Sequence, residues 1–322
     1  MLGEPKSNNP LGLGQKKKVF QSLGPFLGLL LIVIVLSLIN DQFLTFSNIL
    51  NVLRQVSINA LIAFGMTFVI LTGGIDLSVG SIFALSSALT AGMMVSGMNT
   101  WIAVIGGLGC GMLMGAINGV VITKGKVAPF IATLATMTLF RGLTLVYTEG
   151  KPITGLNEDF GLLGKGYFFD IPTPVVWMLL AFFLSYIVLK YTTFGRRVYA
   201  VGSNEEASWL SGIGTDKIKI WVYSISGLLA AFSGIILASR LNSSQPTAGT
   251  SYELDAIAAV VLGGTSLAGG RGWVVGTLIG AIIIGVLDNG LNLLNVSSFY
   301  QQVVKGAVIL LAVLLDRSKS HK

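Results

Sequence analysis

The chain has 322 residues, of which 53% are hydrophobic and only 11% are charged, and its formal net charge is +7. A water-soluble domain needs more charged surface than this, so the composition predicts a membrane protein. The basic residues gather in short segments between apolar runs, which is typical of cytoplasmic loops and not of a nucleic-acid-binding face. The sequence therefore excludes nucleic acid as a partner.

Apolar runs of about bilayer thickness predict an all-α membrane protein, a polytopic bundle of about ten transmembrane helices. Backbone groups inside a bilayer must hydrogen-bond internally, which favours helices. The eighth run is short and rich in glycine, so a broken or re-entrant helix is the alternative there. In chain order the predicted spans are 23–39, 53–71, 79–96, 101–122, 127–147, 174–189, 218–239, 255–268, 273–291 and 299–315.

These spans form one predicted transmembrane domain over 21–318, between a polar and basic tail at 1–20 and a short tail at 319–322. An even number of spans brings both termini to the same side of the membrane. Basic residues in the first tail and in the loop at 190–217 identify that side as cytoplasmic. The loop at 148–173 is predicted to face outward.

Asp76 lies in the glycine-rich segment 73–80, between two predicted spans. An ionisable group at membrane depth is costly and usually faces a cavity or a partner. Either Asp76 caps the helix that follows, which Ser78 favours, or it belongs to a gate or translocation pathway. The segment shares four of its eight residues with 263–270, and internal repeats with interrupted helices line the substrate path of many transporters.

Glycines recur at every fourth position in two of the predicted spans, and this spacing predicts close helix packing. Small residues on one helical face let two backbones approach in lipid. We expect these faces to pack within one subunit, with a subunit interface as the alternative. The glycines are Gly107, Gly111, Gly115 and Gly119 in the fourth span, and Gly272, Gly276 and Gly280 around the ninth.

Uncharged polar residues inside the spans are candidates for a translocation pathway. Hydroxyl and amide groups beside an aromatic ring suit a neutral polyol, although hydrogen bonds between helices would explain each residue alone. Thr133, Thr136 and Phe140 share one helical face by their spacing. The other candidates are Asn59, Thr67, Asn118, Asn289, Asn292 and Gln301.

Four basic residues lie near the predicted outer ends of their spans. Their long side chains reach the lipid headgroups in the simplest interpretation. The alternatives are an outward surface that docks an extracellular partner, for which Arg141 and Arg240 are the candidates, or an ion pair with Glu253 or Asp255. The four residues are Arg54, Arg141, Arg240 and Lys305.

A short helix is predicted within the inner loop at 190–217. Ser203 or Asn204 can cap its first turn. Glu205 and Glu206 then follow, where the helix dipole favours acidic residues. Gly212 is placed to end the helix. On these residues alone it is an amphipathic helix on the cytoplasmic membrane surface.

The sequence lacks the residues that several other function classes require. Cys110 and His321 are its only cysteine and histidine, so a zinc cluster or a Cys–His pair has no ligands or partners. No G-x-x-x-x-G-K-[ST] loop is present. The chain is therefore predicted to be no enzyme and to bind no metal or cofactor, and any ATP must be hydrolysed by another subunit.

Several segments together resemble the monosaccharide permeases of bacterial ABC importers. They are Gly-Gly-Ile-Asp-Leu-Ser-Val-Gly at 73–80, Lys-Val-Ala-Pro-Phe-Ile-Ala-Thr-Leu at 126–134, and the segments at 202–213, 239–243, 252–258 and 258–266. The resemblance extends from about residue 20 to 318. It implies a multi-pass protein of the bacterial plasma membrane that translocates ribose or a related monosaccharide by alternating access.

The resemblance also implies the partners of the chain. These are a second copy of the permease, a cytoplasmic ABC ATPase pair that binds ATP and Mg, an extracytoplasmic sugar-binding protein and membrane lipid. The implied fold is that of the vitamin B12-type importers. The helix in the inner loop becomes a coupling helix that contacts the ATPase through Ser203, Asn204, Glu205, Glu206, Ala207, Ser211, Gly212 and Ile213.

An ion-coupled secondary transporter of a small polar solute is the alternative function. It requires several buried carboxylates. Only Asp76 and Asp288 lie within the predicted membrane region as candidates.

Overall fold

The computed structural model describes residues 13–320, with side chains over 25–308 and at 310 and 314. Much of the predicted tail at 1–20 and the end of the tail at 319–322 lie outside the described residues. The helices are α1 (Leu13–Ile39), α2 (Phe46–Leu71), α3 (Val79–Val95), α4 (Thr100–Thr123), α5 (Pro129–Thr148), α6 (Gly161–Gly164), α7 (Thr173–Tyr191), α8 (Thr193–Ser203), α9 (Glu205–Leu210), α10 (Thr215–Leu241), α11 (Tyr252–Leu262), α12 (Val274–Leu293) and α13 (Ser298–Ser320).

A 3-10 helix (Glu158–Phe160) and four two-residue strands complete the secondary structure between residues 13 and 320. Strand β1 (Ile153–Thr154) pairs antiparallel with β4 (Ser243–Ser244), and β2 (Tyr167–Phe168) pairs antiparallel with β3 (Ile171–Pro172). The first pair fastens the long loop after α5 to the end of α10.

Within the described chain, six helices are long and apolar enough to cross a membrane: α2, α4, α5, α7, α10 and α12. The part of α1 at Pro25–Ile39 and helix α3 are shorter apolar helices. The protein is therefore a helical, multi-pass membrane protein.

The predicted eighth span at 255–268 is wrong in its second half, where the alternative of a broken helix holds. Helix α11 ends at Leu262, and the chain runs as a loop to the start of α12. Gly264 and Gly269 in this loop have φ of +85° and +84°. Residues with a side chain rarely adopt this conformation, so the glycines account for the early end of the helix.

Glycine faces hold the centre of the bundle together, as the sequence predicted for packing within one subunit. Helix α10 packs along α4, α2 and α3. A methyl group added to Gly119 of α4 would lie 2.6 Å from the Cα of Ile220 in α10, and one added to Gly115 would overlap the carbonyl of Tyr223. In the same way, Gly280 of α12 meets the backbone of α11 at Ala259, and Gly276 meets Gly263 directly after α11.

Candidate functional site

Asp76 lies in the linker between α2 and α3, and its side chain is fully buried (0% exposed). One carboxylate oxygen, Oδ1, accepts hydrogen bonds from the backbone N–H of Ser78 at 3.0 Å and from its hydroxyl at 2.6 Å. The other, Oδ2, accepts from the hydroxyl of Ser226 in α10 at 2.9 Å. Because α3 begins only at Val79, the carboxylate closes the turn before that helix and does not bond the amides of its first turn.

Further hydrogen bonds join this linker to three helices. The amide of Asn118 in α4 donates to the hydroxyl of Ser78 at 2.7 Å. The hydroxyl of Thr133 in α5 donates to the carbonyl of Ile75 at 3.1 Å, and Tyr223 of α10 donates to the same carbonyl at 3.4 Å. We call this group the Asp76 cluster, and its polar side chains are Asp76, Ser78, Asn118, Thr133, Tyr223 and Ser226.

The other predicted pathway residues do not join the Asp76 cluster in one continuous site. Thr67 of α2 shares a hydrogen bond of 2.8 Å with the hydroxyl of Thr277 in α12. Asn289 of α12 and Asn48 of α2 exchange two amide hydrogen bonds of 2.8 and 2.9 Å. These pairs hold helices together, which is the simpler of the two explanations that the sequence offered. The remaining candidates of α5, Thr136 and Phe140, are buried.

A polar cavity of about 350 Å³ lies beside the middle of α2, between the end of α10, the start of α11, the end of α12 and the start of α13. Asn59 in its wall is about 18 Å along the α2 axis from Leu71, at 1.5 Å per residue. The cavity includes three predicted pathway residues, Asn59, Asn292 and Gln301, and one predicted docking residue, Arg240. Its polar lining consists of Gln55, Asn59, Arg240, Tyr252, Asp255, Asp288, Asn292, Gln301 and Lys305.

Three charged side chains form an ion cluster in the wall of the polar cavity. The ammonium of Lys305 lies 3.0 Å from Oδ2 of Asp255 and 2.9 Å from Oδ2 of Asp288. Both carboxylates are buried. The Lys305–Asp255 contact is one of the ion pairs that the sequence offered as an alternative. Among the described residues, Oδ1 of Asp288 has no hydrogen-bond partner although it is buried.

The two arginines predicted to dock an extracellular partner make contacts within the bundle. The guanidinium of Arg141 donates to the backbone carbonyls of Pro246, Ala248 and Gly80 at 2.9, 2.8 and 3.2 Å. Arg240 lines the polar cavity. Both side chains are half-buried, and docking by either of them stays a prediction.

Helix α9 is the short helix predicted within the loop at 190–217. The side chain of Asn204, one of the two predicted caps, accepts a hydrogen bond from the N–H of Ala207 at 2.9 Å. After Leu210 the chain turns at Gly212, whose φ is +81°. Trp209 and Leu210 are 65% and 72% exposed, so the outer face of α9 is apolar.

The two acidic residues in the first turn of α9 have different surroundings. Glu205 forms an ion pair of 2.6 Å with Lys219 of α10. Glu206 is exposed and takes part in no ion pair within the described chain. Only Glu206 is therefore free to meet a basic partner without first breaking a contact.

The end of α8, directly before α9, packs against the end of α2 and the glycine-rich loop after α11. The N–H of Gly270 donates to the carbonyl of Leu71 at 2.9 Å, which joins the loop after α11 to the end of α2. A methyl group on Gly202 would overlap that carbonyl, and one on Gly270 would lie 2.8 Å from the Cα of Ser203. We call this contact of Leu71, Gly202, Ser203 and Gly270 the glycine junction.

Helix α8 adds one hydrogen bond beside the glycine junction. The hydroxyl of Tyr199 donates to the carbonyl of Gly272 at 2.9 Å. Burial raises the pKa of this tyrosine, which keeps the hydroxyl protonated as a donor. The segment before α9 is thus fixed to the loop before α12.

Sequence reasoning missed several residues of these sites. Ser226 lies 150 positions from Asp76, in a helix with other serines, and no local pattern distinguishes it. Gln55 lies within α2 and Tyr252 begins α11, and no local pattern distinguishes either of them. Over the residues that the structure describes, no group of three or more histidine, cysteine or acidic side chains is arranged to hold a metal ion.

Residues 48–313 match the family described as branched-chain amino acid transport system / permease component. The ribose import permease protein RbsC of Bacillus subtilis (strain 168) is 66% identical over 304 residues, 94% of each chain. RbsC of Escherichia coli (strain K12) is 54% identical over 91% of this chain and 92% of its own. The D-allose transport system permease protein AlsC of the same strain is 40% identical over 91% of each chain. No solved structure matches this chain.

Proposed function

Because the chain belongs to the family of branched-chain amino acid transport system permease components, we propose that it imports ribose or a related monosaccharide as the membrane subunit of an ATP-driven transporter. Its relatives named for ribose and allose cover nine-tenths or more of its length. The predicted resemblance to sugar permeases is confirmed. The chain is a transport subunit and not an enzyme, so a partner subunit hydrolyses ATP.

The proposed assembly contains two copies of the permease in the bacterial plasma membrane. An ATPase pair, which binds ATP and Mg, docks on the cytoplasmic side, and a sugar-binding protein docks outside. Each copy crosses the membrane about ten times in a fold of the vitamin B12-type, with both termini in the cytoplasm. Helices α1–α5, α7, α10, α12 and α13 overlap nine of the ten predicted spans, and α11 overlaps the first half of the eighth, which supports this topology.

The observation that carries the proposal is the packing of the end of α8, directly before α9, in the glycine junction. The backbones of Gly202, Leu71 and Gly270 approach so closely that no side chain fits between them. A movement of α9 must therefore displace the end of α2 and the loop before α12. Packed elements of this kind shift between discrete arrangements and do not deform gradually. ATP-driven closure of the ATPase would in this way reorient the bundle between its outward-open and inward-open states.

The exposed face of α9 supplies a docking surface for the ATPase. Trp209 and Leu210 offer apolar contacts, and Glu206 offers a charge to a basic residue of the partner. We expect Glu206→Lys to uncouple ATP hydrolysis from sugar uptake while the permease still folds, because its side chain makes no ion pair within the described chain. The measurement is uptake per ATP hydrolysed in reconstituted vesicles.

Asp159→Lys is the matched control for that charge reversal, because Asp159 is an equally exposed acid in the long loop after α5. The control should leave the coupling ratio unchanged. Equal ratios for Glu206→Lys and the unmodified protein would remove Glu206 from the docking surface. Glu205→Lys is a poorer test, since it also breaks the ion pair with Lys219.

Omission of single components tests the function as a whole. Proteoliposomes would hold the permease, its ATPase and its binding protein, with labelled ribose outside and ATP inside. We expect accumulation only when all three proteins and ATP are present. Accumulation without the ATPase would contradict the proposal.

The ion cluster of the polar cavity favours one alternative, an ion-coupled secondary transporter. Buried carboxylates beside a lysine are characteristic of ion and proton pathways in membranes. This alternative predicts that the chain alone accumulates solute when an ion gradient is imposed.

A further inference from the structure

We propose that the polar cavity is a binding site for the transported monosaccharide, in which Asp288 accepts a hydrogen bond from a sugar hydroxyl. This inference rests on the proposed function, because it assigns that function a substrate site within the permease chain. The site lies at the end of the bundle away from α9. In the proposed topology this is the extracytoplasmic end, where the sugar arrives.

The carboxylate of Asp288 carries the inference. Its Oδ2 atom is held at 2.9 Å by the ammonium of Lys305, so the orientation of the group is fixed. Its Oδ1 atom is buried and has no hydrogen-bond partner within the described part of the chain. Nearly all buried polar atoms in proteins are hydrogen-bonded, and an exception calls for an explanation. A hydroxyl donor supplied by a ligand would complete the site.

The charge of the cavity favours a neutral ligand. Its lining contains two carboxylates, those of Asp255 and Asp288, and two cationic groups, those of Lys305 and Arg240. These charges balance, so the cavity has no net charge that would attract an ion. The carboxylate oxygens act as acceptors and the guanidinium as a donor, which matches the alternate donors and acceptors of vicinal hydroxyls.

The remaining lining completes a site for a small polyol. The carboxamide of Asn59 provides donors and an acceptor, and that of Asn292, whose oxygen accepts from Gln301 at 2.8 Å, provides donors. Tyr252 and Ile58 provide apolar surface for the C–H groups of a sugar ring. A volume of about 350 Å³ is at the lower end of the range for ligand pockets, which suits a monosaccharide and excludes most larger solutes.

Asn292 gives experimental access to the cavity, because its side chain lines the cavity and is also exposed. We would introduce Asn292→Cys after replacing the only native cysteine by Cys110→Ala, and then measure labelling by a membrane-impermeant maleimide. The sample is the full-length permease in vesicles, without ATPase or binding protein. We expect D-ribose at ten times its Kd to slow labelling about tenfold by mass action.

Two further variants make the result specific. Lys151→Cys, an exposed position in the long loop after α5, should react at the same rate with and without ribose. Asp288→Asn should abolish protection of Asn292→Cys, since it alters the carboxylate that is proposed to accept the hydroxyl. If that variant does not fold, Asn59→Ala replaces it as the change in the cavity wall.

The outcomes separate this inference from the proposed function. Labelling that ribose does not slow, or that sodium or protons slow instead, would overturn the sugar site. ATP-dependent uptake with no protection would leave the importer intact and reject the cavity. Protection in a protein that shows no ATP-dependent uptake would keep the cavity and reject the importer.

Discussion

Asp76 and Asp288 are both buried carboxylates in a helical membrane protein, with exposures of 0% and 4%, yet their surroundings differ. Both oxygens of Asp76 accept hydrogen bonds, from Ser78 and from Ser226. Asp288 has one oxygen against Lys305 and one that has no partner in the described chain. Burial is the same, so it does not distinguish their roles. The unpaired oxygen of Asp288 distinguishes the two residues, and it indicates that Asp288 binds a ligand.

The two carboxylates also lie at different ends of the bundle. Asp76 follows α2, near the glycine junction, whereas Asp288 lies beside the middle of α2, in the polar cavity. The Asp76 cluster, in which both carboxylate oxygens accept hydrogen bonds, joins the end of α2 to α4, α5 and α10. A displacement of α9 would therefore move these helices together. A ligand can shift a conformational equilibrium only through different affinities for the two states. The polar cavity, where Asp288 has an acceptor that a ligand can use, provides a site whose affinity for the ligand can differ between the two states.

Loss of the Asp76 carboxylate should have the largest effect on stability. Asp76→Ala removes the acceptor of three hydrogen bonds and leaves two buried hydroxyls to find new partners. Each buried donor left unsatisfied lowers the free energy of unfolding by about 1–3 kcal/mol. Since three donors lose their acceptor, we expect this free energy to fall by at least about 3 kcal/mol. The measurement is the thermal midpoint of the permease in detergent. A variant with the midpoint of the unmodified protein and no transport would instead identify Asp76 as a gate.

Ser226→Ala should have an intermediate effect, because it removes the one donor to Oδ2 of Asp76 among the described residues. We expect the free energy of unfolding to fall by about 1–3 kcal/mol. Ser224→Ala is the matched control, since that hydroxyl bonds only the Ile220 carbonyl of its own helix. Equal midpoints for the two variants would mean that Ser226 does not stabilise the Asp76 cluster.

Asp288→Asn should have the smallest effect on stability. The ammonium of Lys305 keeps Asp255 at 3.0 Å, so no buried charge is left without a partner. Because Lys305 and Asp255 stay paired when Asp288 is neutralised, we expect the free energy of unfolding to change by less than about 1 kcal/mol. A loss as large as that of Asp76→Ala would mean that both carboxylates are structural.

Local features of the fold followed from the sequence. Asn204 caps α9 and Gly212 ends it because capping depends on residues a few positions apart. The glycine face of α4 was predictable for the same reason, because residues four positions apart lie on one face of a helix.

Features that depend on distant residues did not follow from the sequence. The hydrogen bond between Asp76 and Ser226 requires α10 to lie beside the linker after α2. No periodic pattern in the sequence shows that α10 is the helix that packs there. The polar cavity requires the ends of four helices to meet beside the middle of α2, and its residues appeared only as scattered polar positions. The early end of α11 depends on the loop at 263–273, where hydropathy alone predicts a continued span.

Uptake of labelled ribose per folded permease, compared between Asp288→Asn and Ser226→Ala in the complete reconstituted system, tests the difference between the two carboxylates most directly. Ser226→Ala should keep nearly the uptake of the unmodified protein once the folded fraction is counted. Asp288→Asn should lose at least about tenfold, because a hydrogen bond to a charged group contributes about 1.5–3 kcal/mol. Full uptake by Asp288→Asn, with a loss confined to Ser226→Ala, would contradict the assignment of the two sites.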